Sequence, residues 1–264
     1  MSGAARRTIG VIGGSGIRGI FEGGPKRTHA LATPWGAPSG PIEEGDLGGL
    51  TVLFLPRHGA GHSIPPHRVN YRANVDALRE LGAEAIVTVS SVGSLKEDLA
   101  PGTFVLPNQF VDLTKGRPTT FFDGGRVYHV SLADPFCPDL SAAAVAAGAA
   151  EGTPFAADRT YVCVEGPRFS TRAESRFFRT FADVIGMTLV PEVTLARERG
   201  ICYACLAMVT DYDVWAERPV EAKEIVAVMH RNADRMGRIL KRLLPALAHP
   251  PTCRCAHALD EAGV

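Results

Sequence analysis

Short runs of aliphatic and β-branched residues recur along the chain and dominate its hydrophobic pattern. They occupy residues 8–12, 50–55, 85–90, 103–106, 161–164 and 201–209. Almost every position within a run is apolar, which is typical of strands buried on both faces of a sheet. The runs therefore predict the strands of a central sheet.

Between these runs lie segments in which apolar residues return at helical spacing. In 69–81, Tyr71 and Leu78 fall on one face of a predicted helix, and 221–243 shows the same period. The alanine-rich segment 141–150 predicts a further helix on the surface. Because strands alternate with helices, we expect an α/β fold around a mostly parallel or mixed sheet.

The chain has 264 residues, of which 45% are hydrophobic, and can bury one large core. Neither an internal repeat nor a linker interrupts the pattern. We therefore expect a single domain over residues 8–244, with tails at 1–7 and 249–264. The second tail begins with Pro250 and Pro251 after the last strong helix and is expected to lie outside the core.

The charge balance gives no sign of a basic binding surface. Lys+Arg and Asp+Glu both total 28, which disfavours a nucleic acid or an anionic membrane as partner. No apolar run approaches the roughly 20 residues of a membrane helix, and no signal-peptide stretch follows Arg6 and Arg7. A cytoplasmic protein with a small-molecule partner is expected.

Three predicted strands end in residues that can bind an anion. The first runs into a glycine turn that closes with Ser15, the second into Arg57 and His58, and the third into Ser90 and Ser91. Glycine-turn amides, hydroxyls and arginine all donate to phosphate oxygens. The carboxyl ends of strands are also where α/β proteins bind ligands. One anion site assembled from separate strands is favoured, and packed serine turns are the alternative.

The run 201–209 leads into two carboxylates at alternate positions, Asp211 and Asp213. In extended structure such residues share one face. A carboxylic acid held protonated could donate to a ring nitrogen of a departing base, while its partner accepts from an exocyclic amine. A polar turn that caps the next helix is the alternative interpretation.

Metal and dinucleotide sites are disfavoured. The glycine turn does not complete the G-x-G-x-x-G fingerprint. His62 and His67 flank two prolines, and no nearby carboxylate completes a ligand set. Cys202 and Cys205 form C-x-x-C inside an apolar run without a second pair at metal spacing, so buried thiols are expected there.

The ordered set of motifs resembles the methylthioadenosine phosphorylase branch of the trimeric purine nucleoside phosphorylase family. The matching stretches are 9–16, 57–58, 69–81, 90–95, 134–138, 164–170, 186–188, 190–192 and 201–215. They follow family order from about residue 8 to about residue 244. The resemblance implies a single α/β domain whose mixed sheet curls towards a barrel and is flanked by helices. It also implies a homotrimer, or a dimer of trimers.

The resemblance implies phosphorolysis, in which inorganic phosphate attacks the anomeric carbon of a purine nucleoside as the base leaves. Phosphate is then a co-substrate, and no metal or organic cofactor is expected. By this likeness the phosphate ligands are Ser15, Arg57, His58, Ser90, Ser91 and Thr188. The nucleoside ligands are Met187, Asp211, Tyr212, Asp213, Phe169 and Ser170, and His129 is expected to reach a neighbouring subunit's pocket.

The aspartate pair favours a 6-aminopurine, because branches that take 6-oxopurines carry asparagine where Asp211 stands. The expected reaction converts 5′-methylthioadenosine, or a close 5′-deoxyadenosine analogue, to adenine and 5-methylthioribose 1-phosphate. A phosphorylase of 6-oxopurine nucleosides or methylthioinosine, and a non-catalytic nucleoside-binding protein, are the alternatives. Cys253 and Cys255 resemble a C-x-C tail that forms disulfides in some thermophilic relatives, and free thiols are expected here.

Overall fold

The computed structural model describes residues 6–14, 17, 20–21, 23–216, 222–260 and 262–263. In this part of the chain nine strands form one mixed sheet. The strands are β1 (Thr8–Gly13), β2 (Arg27–His29), β3 (Ile42–Leu47), β4 (Leu50–Pro56), β5 (Ala85–Ser94), β6 (Phe104–Leu113), β7 (Phe155–Val164), β8 (Val184–Gly186) and β9 (Cys202–Asp211).

The sheet closes on itself through β5. Its order is β2-β3-β4-β1-β5-β8-β7-β6-β9, and β9 also pairs with β5, so the last five strands form a barrel. Strands β4, β1, β5 and β9 are parallel to one another, because β4 pairs with β1, β1 with β5, and β5 with β9 in parallel. Strands β3 and β2 extend the sheet beyond β4 as antiparallel neighbours. The prediction of an α/β fold with a mixed sheet that curls towards a barrel is confirmed.

Five helices accompany the sheet in the described residues: α1 (Tyr71–Glu80), α2 (Pro138–Ala150), α3 (Arg172–Phe178), α4 (Glu192–Glu198) and α5 (Ala222–Ala246). The local sequence explains where two of these helices begin. The Asn70 side chain accepts from the Ala73 backbone N–H at the start of α1. Thr171 and Glu174 form a reciprocal capping box at the start of α3. No helix in the described ranges is both long and apolar enough to cross a membrane.

The core lies on both faces of the sheet, as the continuous apolar runs predict. In β9, Cys202 and Leu206 pack in one hydrophobic cluster, whereas Tyr203 and Cys205 pack in the cluster on the other face. This alternation follows from the two-residue period of a strand. It also separates the two thiols of the C-x-x-C sequence.

The tail differs from the expected extension outside the core. Cys255 is buried in the same cluster as β9 and α5. The His129 backbone N–H donates to the Ala262 carbonyl at 2.8 Å, and Tyr128 forms an isolated bridge with Gly263. The described part of segment 249–264 therefore packs back onto the domain.

Candidate active site

A cavity of about 610 Å³ opens where several parallel strands end. It is lined by Gly14 after β1, Arg57 and His58 after β4, residues 90–93 of β5, and Asp211 at the end of β9. Because β1, β4, β5 and β9 are parallel, their carboxyl ends meet at one edge, as in other α/β sites.

Ten residues that the sequence predicts as ligands line this cavity. They are Arg57, His58, Ser90, Ser91, Phe169, Ser170, Met187, Thr188, Asp211 and Asp213. They come from strand ends and loops that are far apart along the chain.

Arg57 is buried and almost fully engaged by protein groups. Its Nε and Nη2 donate to the two carboxylate oxygens of Glu192, both at 3.0 Å, and Nη1 donates to the Val89 carbonyl at 3.0 Å. Nη2 also donates to the Thr88 hydroxyl. With Glu192 beside it, the pKa of Arg57 stays above its ordinary value despite burial. These bonds use four of its five N–H groups and leave one on Nη1, and Arg57 lines the cavity.

His58 is held as a neutral ring with a defined tautomer. Its Nδ1 lies 2.8 Å from the Ile64 carbonyl, which can only accept, so Nδ1 carries the proton and Nε2 is the acceptor. Burial and the charge of Arg57 lower the pKa of His58 to about 4. The His62 ring stacks on it at 4.2 Å between centroids. Near neutral pH, Nε2 therefore offers a lone pair.

Three hydroxyl groups, those of Ser90, Thr188 and Tyr161, lie close together. Ser90 Oγ lies 3.0 Å from Thr188 Oγ1 and 3.4 Å from Tyr161 OH. The Tyr161 ring fits only because residue 186 is glycine, where an added Cβ would stand 1.9 Å from the phenol oxygen. Ser90 and Thr188 line the cavity, and their hydroxyls can reorient to donate to an anion.

The two aspartates occupy distinct environments at the end of β9. Asp211 Oδ2 accepts from the Thr210 hydroxyl at 2.7 Å, and Oδ1 accepts from the Asp213 backbone N–H at 2.8 Å. Burial raises the pKa of both carboxyl groups. Asp213 is 4% exposed and has a positive φ of 51°, and the Ser175 hydroxyl and the Val214 backbone N–H oppose the effect of burial on its pKa.

Gly93 leaves the space beside the Asp211 carboxyl free of side-chain atoms. A Cβ at this position would lie 3.0 Å from Asp211 Oδ1 and 3.1 Å from the Ile185 side chain. A flat ring can therefore approach the carboxyl over bare backbone.

A buried arginine supports the loop that carries Phe169 and Ser170. Arg117 donates to the Glu165 carbonyl at 2.6 Å and to the Tyr71 hydroxyl at 3.1 Å. Ser170 Oγ is buried without a partner among the described residues, whereas Phe169 is 46% exposed at the cavity.

Two of the predicted ligands that the structure describes do not line the cavity. The Tyr212 ring packs edge-on against Trp215 at 5.4 Å, and His129 is exposed elsewhere on the surface. Ser15, a predicted phosphate ligand, lies outside the described residues. The roles of these residues stay predictions.

Sequence reasoning missed three residues at the site. Glu192 lies in a matching motif but received no role, and Thr210 precedes the aspartates as an apparent core residue. His62 was considered only as a metal ligand, yet it lines the cavity beside His58. A carboxylate within an apolar segment was the signal available for Glu192, which is fully buried.

Comparisons with known proteins agree with this geometry. A family model described as Phosphorylase superfamily matches residues 8–245. The S-methyl-5′-thioadenosine phosphorylase of Pyrococcus furiosus is 54% identical over 251 residues, which cover 95% of this chain and 97% of the relative. The enzyme of the same name from Saccharolobus solfataricus is 50% identical over 264 residues, covering 97% of each.

Solved structures share the fold over nearly the whole chain. A methylthioadenosine phosphorylase from an antarctic soil metagenomic library has a TM-score of 0.92 and 44% identity, covering 99% of this chain and 93% of that one. The methylthioadenosine phosphorylase of Schistosoma mansoni in complex with adenine has a TM-score of 0.90 and 36% identity, covering 97% and 96%. The chain therefore belongs to the phosphorylase superfamily.

Proposed function

We propose that this chain catalyses the phosphorolysis of 5′-methylthioadenosine to adenine and 5-methylthioribose 1-phosphate, a step of methionine and purine salvage. The observation that carries the proposal is one cavity that combines two carboxyls at the end of β9, half-buried Asp211 and buried Asp213, with a group of hydroxyls, arginine and histidine. Relatives that bear the name of this activity match the chain almost end to end.

The two groups of side chains are separated by a nucleoside-sized distance. Ser90 and Gly93 are three residues apart on β5, or roughly 10 Å at the usual rise of a strand. Gly93 pairs with Asp211 in the register of β5 and β9. A purine held at Asp211 therefore leaves its sugar and the attacking phosphate near Ser90.

Adenine is read by the two aspartates. Asp211, whose pKa is raised by burial, donates a proton towards N7 of the base, and Asp213, which lines the same cavity, accepts from the exocyclic 6-amino group. The hydrogen bond at N7 stabilises the negative charge that develops on the departing purine. A 6-oxo group would instead place an acceptor opposite a carboxylate.

Phosphate is held by Arg57, His58, Ser90, Ser91 and Thr188. We assign His58 Nε2 as the acceptor for the single P–OH of monohydrogen phosphate, which leaves the other oxygens for the hydroxyls and for the remaining Arg57 N–H. The Arg57 charge is already matched by Glu192, so the cradle is close to neutral before phosphate enters. Hydroxyl donors therefore supply much of the binding.

The reaction balances without a metal or an organic cofactor. A phosphate oxygen forms a bond to C1′ while the C1′–N9 bond breaks and its electron pair moves into the purine. Monohydrogen phosphate loses one proton and adenine gains one, so the overall reaction balances. Asp211 donates its proton towards N7 during the step and is reprotonated afterwards. Phosphate charge offsets the positive charge on the sugar in the transition state.

The remaining walls of the cavity suit an apolar 5′ substituent. Ile17, Val92, Ile185, Met187 and Met208 line it. Thioether and aliphatic surfaces favour a methylthio group over a hydroxyl because an unpaired hydroxyl is costly to bury.

A homotrimer, or a dimer of trimers, is part of the proposal. Phe177 and Phe181 on and after α3 are 62% and 36% exposed and contact each other at 5.2 Å between ring centroids. An exposed aromatic pair supports a neighbouring subunit that covers this face. His129 would then serve an adjacent subunit. We also propose a cytoplasmic enzyme with no nucleic-acid partner, in line with its balanced charge.

The test is incubation of purified protein with 5′-methylthioadenosine, with and without phosphate, beside methylthioinosine, followed by chromatography of the free base. Adenine that forms only with phosphate supports the proposal. Hypoxanthine from methylthioinosine alone would assign a 6-oxopurine phosphorylase instead. No base from either nucleoside, despite binding measured by calorimetry, would assign a nucleoside-binding protein.

A further inference from the structure

Four cysteines converge at the end of β9 opposite to the end that carries Asp211. Cys137, Cys202, Cys253 and Cys255 have sulfur atoms that all lie within 4.8 Å of one another. Cys253 Sγ is 3.5 Å from Cys137 Sγ and 3.3 Å from Cys202 Sγ. All four are free thiols, and only Cys253 is partly exposed.

The four thiols come from three separate segments. Cys137 precedes α2, Cys202 opens β9, and the tail supplies Cys253 and Cys255 across one intervening residue. Cys255 begins a short 3₁₀ turn, which brings both tail sulfurs to the same side. Cys163 and Cys205 pack in the hydrophobic cluster on the other face of the sheet and take no part.

We propose that these four cysteines form a structural zinc site that fastens the tail to the domain. A tetrahedral zinc with Zn–S bonds of about 2.3 Å places its sulfurs about 3.8 Å apart. The 3.3 and 3.5 Å separations and the 4.8 Å limit bracket this value, so changes of at most about 1 Å in any sulfur–sulfur separation complete the tetrahedron. Four sulfur ligands leave no open position, which is typical of a structural site.

The surrounding groups suit a negatively charged metal centre. Four thiolates around Zn²⁺ leave a net negative charge, and Arg197 Nη1 lies 3.7 Å from Cys255 Sγ to offset it. The Cys253 backbone N–H donates to Asp139 Oδ2 at 3.0 Å, and the Cys137 N–H donates to the Tyr203 carbonyl at 2.9 Å. These bonds fix the ligand-bearing backbone from outside.

Pairwise disulfides explain the cluster less well than a metal. Two disulfides would also use all four sulfurs, but they would divide the cluster into pairs, whereas Cys253 contacts the sulfurs of both Cys137 and Cys202. A metal uses all four thiolates together and needs no oxidant, which suits a reducing compartment. Metal binding releases the thiol protons and couples directly to folding of the tail.

The first experiment measures metal content by mass spectrometry of untagged protein purified with a thiol-free reductant from zinc-supplemented cells. We expect about one zinc ion per chain. Cys253→Ser should lose most of it, whereas Cys205→Ala, which removes the other thiol of the C-x-x-C sequence, should retain it. Wild-type protein without zinc that also fails to take up added zinc would overturn the proposal.

A second measurement stands independently of the folding of the variants. Cobalt(II) exchanged into the wild-type chain should give the intense visible bands of a tetrahedral tetrathiolate, and zinc should abolish them. Protein purified without reductant should keep its full reduced mass. A mass lower by four hydrogens in a zinc-free chain would assign two disulfides and reject the metal site, whatever the phosphorolysis assay shows.

Discussion

Substituting Glu192 by glutamine tests the buried ion pair at the phosphate cradle. The side chains of Arg57 and Glu192 are 3% and 0% exposed, so neither charge can be hydrated if its partner is lost. Glutamine keeps the size and can still accept from the Tyr203 hydroxyl, now 2.8 Å from Glu192 Oε1. Its amide nitrogen, however, opposes the Arg57 N–H and leaves the guanidinium charge uncompensated.

Breaking such a pair from one side costs about 3–5 kcal/mol. A chain of this size shifts its Tm by about 2–4 °C per kcal/mol, so Glu192→Gln should melt about 6–20 °C below the wild type. Phosphate supplies negative charge beside Arg57 and should therefore raise the Tm of the variant more than that of the wild type. Thermal unfolding by circular dichroism at several phosphate concentrations measures both effects.

The matched control is Asp98→Asn. Asp98 pairs with Arg159 at 2.9 Å, but its side chain is 63% exposed, and such pairs contribute at most about 1 kcal/mol. The same acid-to-amide change should therefore shift the Tm little and without dependence on phosphate. A Glu192→Gln variant that melts no lower than Asp98→Asn, or gains nothing extra from phosphate, would refute the reasoning.

Three further predictions address the site. Asp211→Asn should lower kcat for adenine release about a hundredfold or more, as expected for loss of a general acid, and unchanged turnover would contradict its role. His58, with an ordinary pKa of 6.5 and a folded pKa of about 4, binds its proton less readily in the folded state. Stability present above about pH 6.5 is therefore lost as the pH falls towards 4, and a His58→Gln variant should show a smaller loss of Tm over that window. Gly186→Ala should cost about 1–3 kcal/mol or more by overpacking against Tyr161, whereas Gly116→Ala, which meets no atom within 4 Å, should leave the Tm unchanged.

Continuous apolar runs locate the buried strands, but they cannot locate strands of other kinds. β3 (Ile42–Leu47) carries the sequence IEEGDL and pairs beyond β4, where partial exposure permits charged residues. β2 and β8 have three residues each, too short for a period. Helix α3 was missed although its capping box, Thr171 with Glu174, is a local sequence signal.

The residues of the candidate site also divide into those that the sequence reveals and those that it does not. Residues at strand ends, such as Arg57 and Asp211, could be found because parallel strands bring their ends together. Glu192 could not, because its role depends on an approach to Arg57 across 135 residues. The cysteine cluster is hidden for the same reason, since Cys137, Cys202 and the tail meet only after the barrel closes.

Strand β9 joins the two sites along one rigid element. Cys202 stands at its first residue and Asp211 at its last, about 30 Å apart at the usual rise per residue. Both β5 and β6 pair with the strand between them. Loss of zinc should therefore release the tail and lower the Tm, while the carboxyl end of β9 stays held by the barrel. Chelation that lowers the Tm but leaves the KM for nucleoside unchanged would fit this separation, and a parallel rise in KM would show that the metal also positions the aspartates.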